Sequence, residues 1–286
     1  MTASERITYF SKDPIVCPVC GSKFFREDLL SGRGRLVAGD LTDELRRMYE
    51  PTQKYGELYP IVYSVTVCPV CYFAAFPQDF LSVDDSTKTR LLPLKDKRLE
   101  AVNTLFQEVN FEEPRTLIEG VVSYFLAVIC CDSFPATANP TFKQALSSLR
   151  GAWLLNTLHS HYPGEHYDYI AKLFYRKAYF FYALAVERDQ NGEESLSGIT
   201  NFGPDTDKNY GYEGVLYISA LLQFKYGPRA DKEKRIKALE NSKRLLSKIF
   251  GTGKASRGKP SAILEKAKDI FEKIGEEIKS LEGSSE

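Results

Sequence analysis

VCPVCGSKFF at residues 16–25 returns almost unchanged as VCPVCYFAAF at residues 67–76. Each copy carries two cysteines separated by two residues, with a proline stiffening the turn at the same place, Pro18 and Pro69. A CxxC turn puts two sulfurs on one side of a metal ion, and two such turns supply the four thiolates that Zn²⁺ binds tetrahedrally at about 2.3 Å. The pattern predicts a structural zinc site made by Cys17, Cys20, Cys68 and Cys71. Four cysteines leave no open position on a tetrahedral ion, which argues against a catalytic metal. Dithiol redox chemistry needs one CxxC at a helix N-terminus in a βαβ setting, whereas both pairs here follow β-like sequence and match each other.

Around these turns the first 80 residues read as β-structure. YPIVYSVTVC, 59–68, alternates β-branched and aromatic residues and predicts a strand that ends on a cysteine, with 34–37 as a pairing partner. Between them, 38–56 reads as a charged loop. The 47 residues separating Cys20 from Cys68 exceed the spacing of a compact zinc ribbon, so an insertion is implied. Closing so long a loop is a task suited to a metal.

Beyond residue 84 the apolar period becomes helical. Leu99, Val102, Phe106 and Val109 share a face, Pro114 opens a second helix that runs to Cys131, and Asn139 with Pro140 read as N-cap and first position of a third. Further helices are predicted at about 165–188, 212–226, 231–250 and 260–281. In the last, Ile263, Leu264, Ala267, Ile270, Phe271, Ile274 and Ile278 form one stripe. Short links imply antiparallel neighbours, hence a stack of helical hairpins similar to tetratricopeptide repeats, though with a poor match to the repeat consensus. The expected fold class is α+β, mainly α: a zinc-ribbon-like module over 1–80 and a helical-hairpin domain over 81–286.

CPVCG, Arg33 and Arg35 followed by Asp40, and YPIVYSVTVCPVCYFAAF, with repeat-like helices behind them, together resemble the bacterial domain-of-unknown-function family 2225. The resemblance is strong over 15–80 and holds in outline afterwards. It implies a metal site at the paired CxxC motifs and a tetratricopeptide-like region, and leaves the biochemical role unassigned. One departure is Tyr72, where the family pattern tends to have glycine; a positive φ there strains a non-glycine residue.

With 43% hydrophobic and 27% charged residues and no formal net charge, the chain reads as globular and is no polyelectrolyte. No stretch resembles a signal peptide, and the most apolar run, 120–131, falls short of the roughly 20 residues that span a bilayer. A cytoplasmic protein with no membrane segment is expected. Charge is uneven, however: residues 225–259 hold twelve Lys and Arg against three acids. Other motifs are weaker. GKASRGK (253–259) has phosphate-loop spacing, but Pro260 replaces the Mg²⁺-binding hydroxyl. DTDKNYG (205–211) begins like a calcium loop, but its glycine is one place late and Leu216 stands at position twelve. His159, His161 and His166 cluster at a predicted helix end, and Cys130 and Cys131 read as core thiols.

No set of nucleophile, base and orienting group stands out, so the first expectation is a non-enzymatic adaptor that binds a protein or peptide on its helical surface. The partner-binding candidates are Tyr175, Arg176 and Tyr179, together with Lys243, Arg244 and Lys248. The alternative is nucleic-acid binding by the ribbon and the segment 225–259. It is disfavoured by the lack of aromatic interleaving and by the balanced charge of the ribbon, nine basic residues against ten acidic. A third reading assembles an enzyme site from the histidine cluster and Glu165.

Overall fold

The computed structural model describes residues 7–250 and 261–283, and the phosphate-loop-like segment 253–259 lies outside them. The fold is α+β and mainly α. Short strands occupy the N-terminal region and pair two by two, all antiparallel. They are β1 (Thr8–Phe10) with β4 (Glu27–Leu29), β2 (Ile15–Val16) with β3 (Lys23–Phe24), β5 (Val37–Leu41) with β6 (Arg47–Glu50), and β7 (Thr66–Val67) with β8 (Ala74–Ala75). Each CxxC turn is the tip of one hairpin: Ile15 faces Phe24 across the first, and Thr66 faces Ala75 across the second.

The helices are α1 (Pro77–Phe80), α2 (Asp85–Leu91), α3 (Lys95–Leu105), α4 (Leu117–Cys131), α5 (Pro140–His161), α6 (Tyr167–Asn191), α7 (Gly211–Tyr226), α8 (Lys232–Phe250) and α9 (Ser261–Gly283). Local chemistry explains their ends. Thr116 and Glu119 form a capping box at the start of α4, satisfying two of its orphan amides. Pro140 opens α5, where its missing N–H costs nothing. Gly192, in the left-handed region, closes α6 by donating to the Arg188 and Asp189 carbonyls. From α4 to α9 each helix packs on the next. The α5–α6 contact is close because Gly151 has no side chain: a Cβ there would lie 2.7 Å from the Phe174 ring.

Two β expectations are corrected. Residues 59–68 do not form one strand: Pro60–Tyr63 is a 3₁₀ turn whose Ile61 and Val62 face inward, and only Thr66–Val67 is extended. Pro60 favours that turn, and tertiary packing overrides the local alternation. The supposed loop 38–56 instead holds most of the β5–β6 hairpin: Val37 pairs with Glu50, and 34–36 form a turn. The hairpin's own turn is held by Leu45, fully buried at a positive φ of 59°.

The insertion fastens the ribbon to the helices. The Tyr124 hydroxyl on α4 donates to the Ile61 carbonyl at 2.6 Å, and Gly120 makes room for Val62. At the tip of β5–β6, the buried Glu44 carboxylate accepts from Trp153 Nε1 of α5 (2.5 Å), the Tyr175 hydroxyl of α6 (3.0 Å) and Lys225 Nζ of α7 (3.0 Å). One buried apolar cluster runs from Cys17 through the helices to Ile274, without a break at residue 80.

Candidate metal centre

Both knuckles use the same backbone bonds. Cys17 N–H donates to the Ser22 carbonyl (2.8 Å) and Gly21 N–H to the Cys17 carbonyl (2.9 Å). Cys68 N–H donates to Phe73 and Tyr72 N–H to Cys68, each at 2.9 Å. The residue after the second cysteine must therefore turn left-handed, and does so at φ 76° for Gly21 and φ 54° for Tyr72. The strain at Tyr72, of order 1 kcal/mol, is offset by burial of its ring, edge-on to Phe111 at 5.7 Å.

The four sulfurs of Cys17, Cys20, Cys68 and Cys71 lie within 4.8 Å of one another. Across the two knuckles, Cys17 Sγ is 3.7 Å from Cys71 Sγ, and Cys20 Sγ is 3.7 Å from Cys68 Sγ. A tetrahedron with metal–sulfur bonds of about 2.3 Å has sulfur edges of about 3.8 Å, so the arrangement fits a single ion. Cys17, Cys68 and Cys71 are buried and Cys20 half-buried. Considered as thiols alone, they compete for protons. Hydrogen bonds from Cys17 and Cys71 drive the Cys68 thiol far down, and the hydrogen bond to Cys68 pushes Cys17 up to about 12. A cation at the centre removes that competition by stabilising every thiolate.

The surroundings suit a negatively charged centre. The Ser22 hydroxyl lies 3.0 Å from Cys20 Sγ and 3.2 Å from Cys68 Sγ, in reach to donate to a thiolate. Arg98 on α3 is almost fully buried, donating from Nε to the Cys71 carbonyl (3.0 Å) and from Nη1 to the Leu91 carbonyl (2.8 Å). A cation behind the second knuckle would offset half of the net −2 that four thiolates around a divalent ion would carry. Sequence reading missed Arg98, although an arginine in line with Leu91 and Val102 was the available signal. Behind the same knuckle Cys130 Sγ lies 3.5 Å from the Ala74 amide, and burial raises its thiol to about 11.

The other candidates fall elsewhere. His161 Nε2 is 3.2 Å from Glu57, His159 faces Asp168 at 3.9 Å, and His166 precedes α6 in the left-handed region. Among the described residues the cysteines alone form a metal-ligating group. Asp205 and Asp207 are committed to Arg47, through its amide and its guanidinium, which makes 205–211 a hydrogen-bonded polar turn. Tyr175 is no surface contact: it is buried, bonded to Glu44 and stacked on Tyr226 at 4.6 Å, because α6 turns that face inward. Tyr179 is half-buried against the core, while Arg176, Arg244 and Lys248 are exposed. Lys243 lies over the Phe271 ring at 4.6 Å.

A four-cysteine centre at paired hairpin tips, built into a sequential stack of helices, defines a helical protein with a candidate metal-binding ribbon. The chain belongs to the family described as "Uncharacterized protein conserved in bacteria (DUF2225)", which matches residues 10–274. It is 47% identical over 278 residues to a protein of Borreliella burgdorferi described as uncharacterized, covering 97% of this chain and 99% of that one. No solved structure matches it. No helix among the described residues is long and apolar enough to cross a membrane.

Proposed function

We propose that the chain is a non-catalytic scaffold in which Cys17, Cys20, Cys68 and Cys71 hold a structural zinc ion, and whose helical surface docks a protein partner. Support for zinc comes from the sulfur spacing, and support for a structural role from the donor count: four thiolates fill a tetrahedral ion and leave no position for substrate. Bound there, the ion supplies a cross-link between the two hairpins.

The observation that carries the docking role is a stripe on the outer face of α6. Tyr169, Leu173 and Phe180 are 64%, 41% and 56% exposed at helical spacing, flanked by exposed Arg176 and Lys177. Exposed apolar rows beside charge mark interaction sites more than scattered single residues do. The chemistry fits an amphipathic helix with apolar anchors and acidic flanks. The basic segment favours this reading over nucleic acid, because several of its cations are already used. Arg235 pairs with Glu277 in the interior, Lys225 with Asp43 and Glu44, and Lys243 with the Phe271 ring.

A photo-cross-linker at position 173, in the native cell, tests the reading. One protein should be captured through an acidic amphipathic segment, and capture should fall at least tenfold in Tyr169→Ser/Phe180→Ser. Unchanged capture by the double variant overturns the site. RNA or DNA binding below micromolar at physiological salt, with a steep salt dependence, overturns the adaptor reading.

A further inference from the structure

A cleft of about 520 Å³ opens between the ribbon's end, α5 and the loop 198–206. Its floor is one face of α5, where Asn139, Phe142, Lys143, Leu146 and Arg150 recur at helical spacing, and Asp79 of α1 stands across from Lys143. Eleven residues of helix make this floor roughly 16 Å long.

The polar groups along it are incompletely matched. Near one end lies the Arg150 guanidinium, only 5% exposed. It donates to the Pro204 carbonyl (2.7 Å from Nε), lies over the Phe76 ring and reaches the Tyr124 hydroxyl, and it makes no ion pair among the described residues. The planar guanidinium is shaped to receive a carboxylate in two-point fashion. Towards the other end, Asn139 Oδ1 and Asp79 Oδ2 are both buried without a donor, although Asp79 Oδ1 holds Lys143 Nζ at 2.7 Å. A buried acceptor without a donor is costly enough to call for one. Phe76, Phe142, Leu146 and Ile199 give apolar wall between the ends.

We propose that this cleft binds a short peptide by its free C-terminal carboxylate. Arg150 takes the carboxylate, peptide or terminal N–H groups satisfy Asp79 and Asn139, and apolar side chains fill the middle. One guanidinium without an ion-pair partner matches a monoanion, since Asp79 already neutralises Lys143 and would repel a phosphate dianion. Three extended residues span roughly 10 Å, which a single amino acid does not. The volume is that of an ordinary small-ligand pocket. The proposal is independent of the α6 surface.

Calorimetric titration of the full chain with the tripeptide Ala-Leu-Phe, its C-terminal amide and acetate tests it. The free acid should bind, the amide at least tenfold more weakly, and acetate should neither bind comparably nor compete at equal concentration. Arg150→Gln should abolish the preference for the acid. If that variant fails to fold, the comparison of acid with amide on the unaltered protein decides. Equal binding of acid and amide, no binding of either at 10 mM, or acetate binding as well as the peptide overturns the proposal.

Discussion

Glu44→Ala is the substitution expected to separate the hairpin from the helices. Its carboxylate, 7% exposed, is the acceptor for Trp153 Nε1 and the Tyr175 hydroxyl and one of two acidic partners of Lys225. Removing it leaves Lys225 with Asp43 at 2.7 Å, but strands two neutral donors in the interior. Each buried donor left without an acceptor costs about 1–3 kcal/mol, so the loss is roughly 2–6 kcal/mol, a large part of the stability of an ordinary domain. For a chain of this length that lowers the thermal midpoint by roughly 3–10 °C. Circular dichroism melts of Glu44→Ala, Trp153→Phe and the double variant measure it. The double variant should lose less than the sum, because Trp153→Phe also deletes one stranded donor. A shift below about 2 °C for Glu44→Ala, or strict additivity, refutes the reasoning.

Elemental analysis of purified protein should find about one zinc per chain, and mercurial titration of the thiols should release it; a metal-free protein with disulfides in its place contradicts the centre. Cys68→Ser should lower the stability of the whole chain in a single calorimetric transition, because the buried core is continuous across residue 80. Two separated transitions would instead support independent units over 1–80 and 81–286. Gly151→Ala should cost about 1–3 kcal/mol by overpacking against Phe174, read as a fall in denaturation midpoint with unchanged slope; a neutral result would mean that α5 and α6 separate freely.

The readable parts of the chain were those with strong local chemistry. Asn139-Pro140 placed the start of α5 to the residue, the apolar stripe of α9 placed Ile263, Ala267, Ile270 and Ile274 in the core, and the repeated CxxC turns named the four cysteines that the structure brings together. The β5–β6 hairpin was hidden because its turn depends on Leu45 at positive φ, a conformation leucine does not advertise. Residues 59–68 misled for the opposite reason: their alternation is strand-like, yet Ile61, Val62 and Val65 are buried by contacts made far along the chain. Tyr175 and Phe180 share an aromatic-rich segment, and only the rotation of α6 decides which one meets water.

The span of the Glu44 contacts sets an order of events during synthesis. Both knuckles are complete once residue 71 has left the ribosome, so an ion can close the loop at that stage. The hairpin inside that loop must then wait for Trp153, Tyr175 and finally Lys225, which lies 181 residues after Glu44. At about 5–20 residues per second the interval from residue 71 to Lys225 is roughly 8–31 s. Throughout it Leu45 and the Glu44 carboxylate lack the helices that bury them, so any closure of the ribbon by a metal precedes its folding. Premature release of the chain anywhere between the second knuckle and α7 would yield a fragment with both knuckles complete yet with the surface meant for the helices exposed.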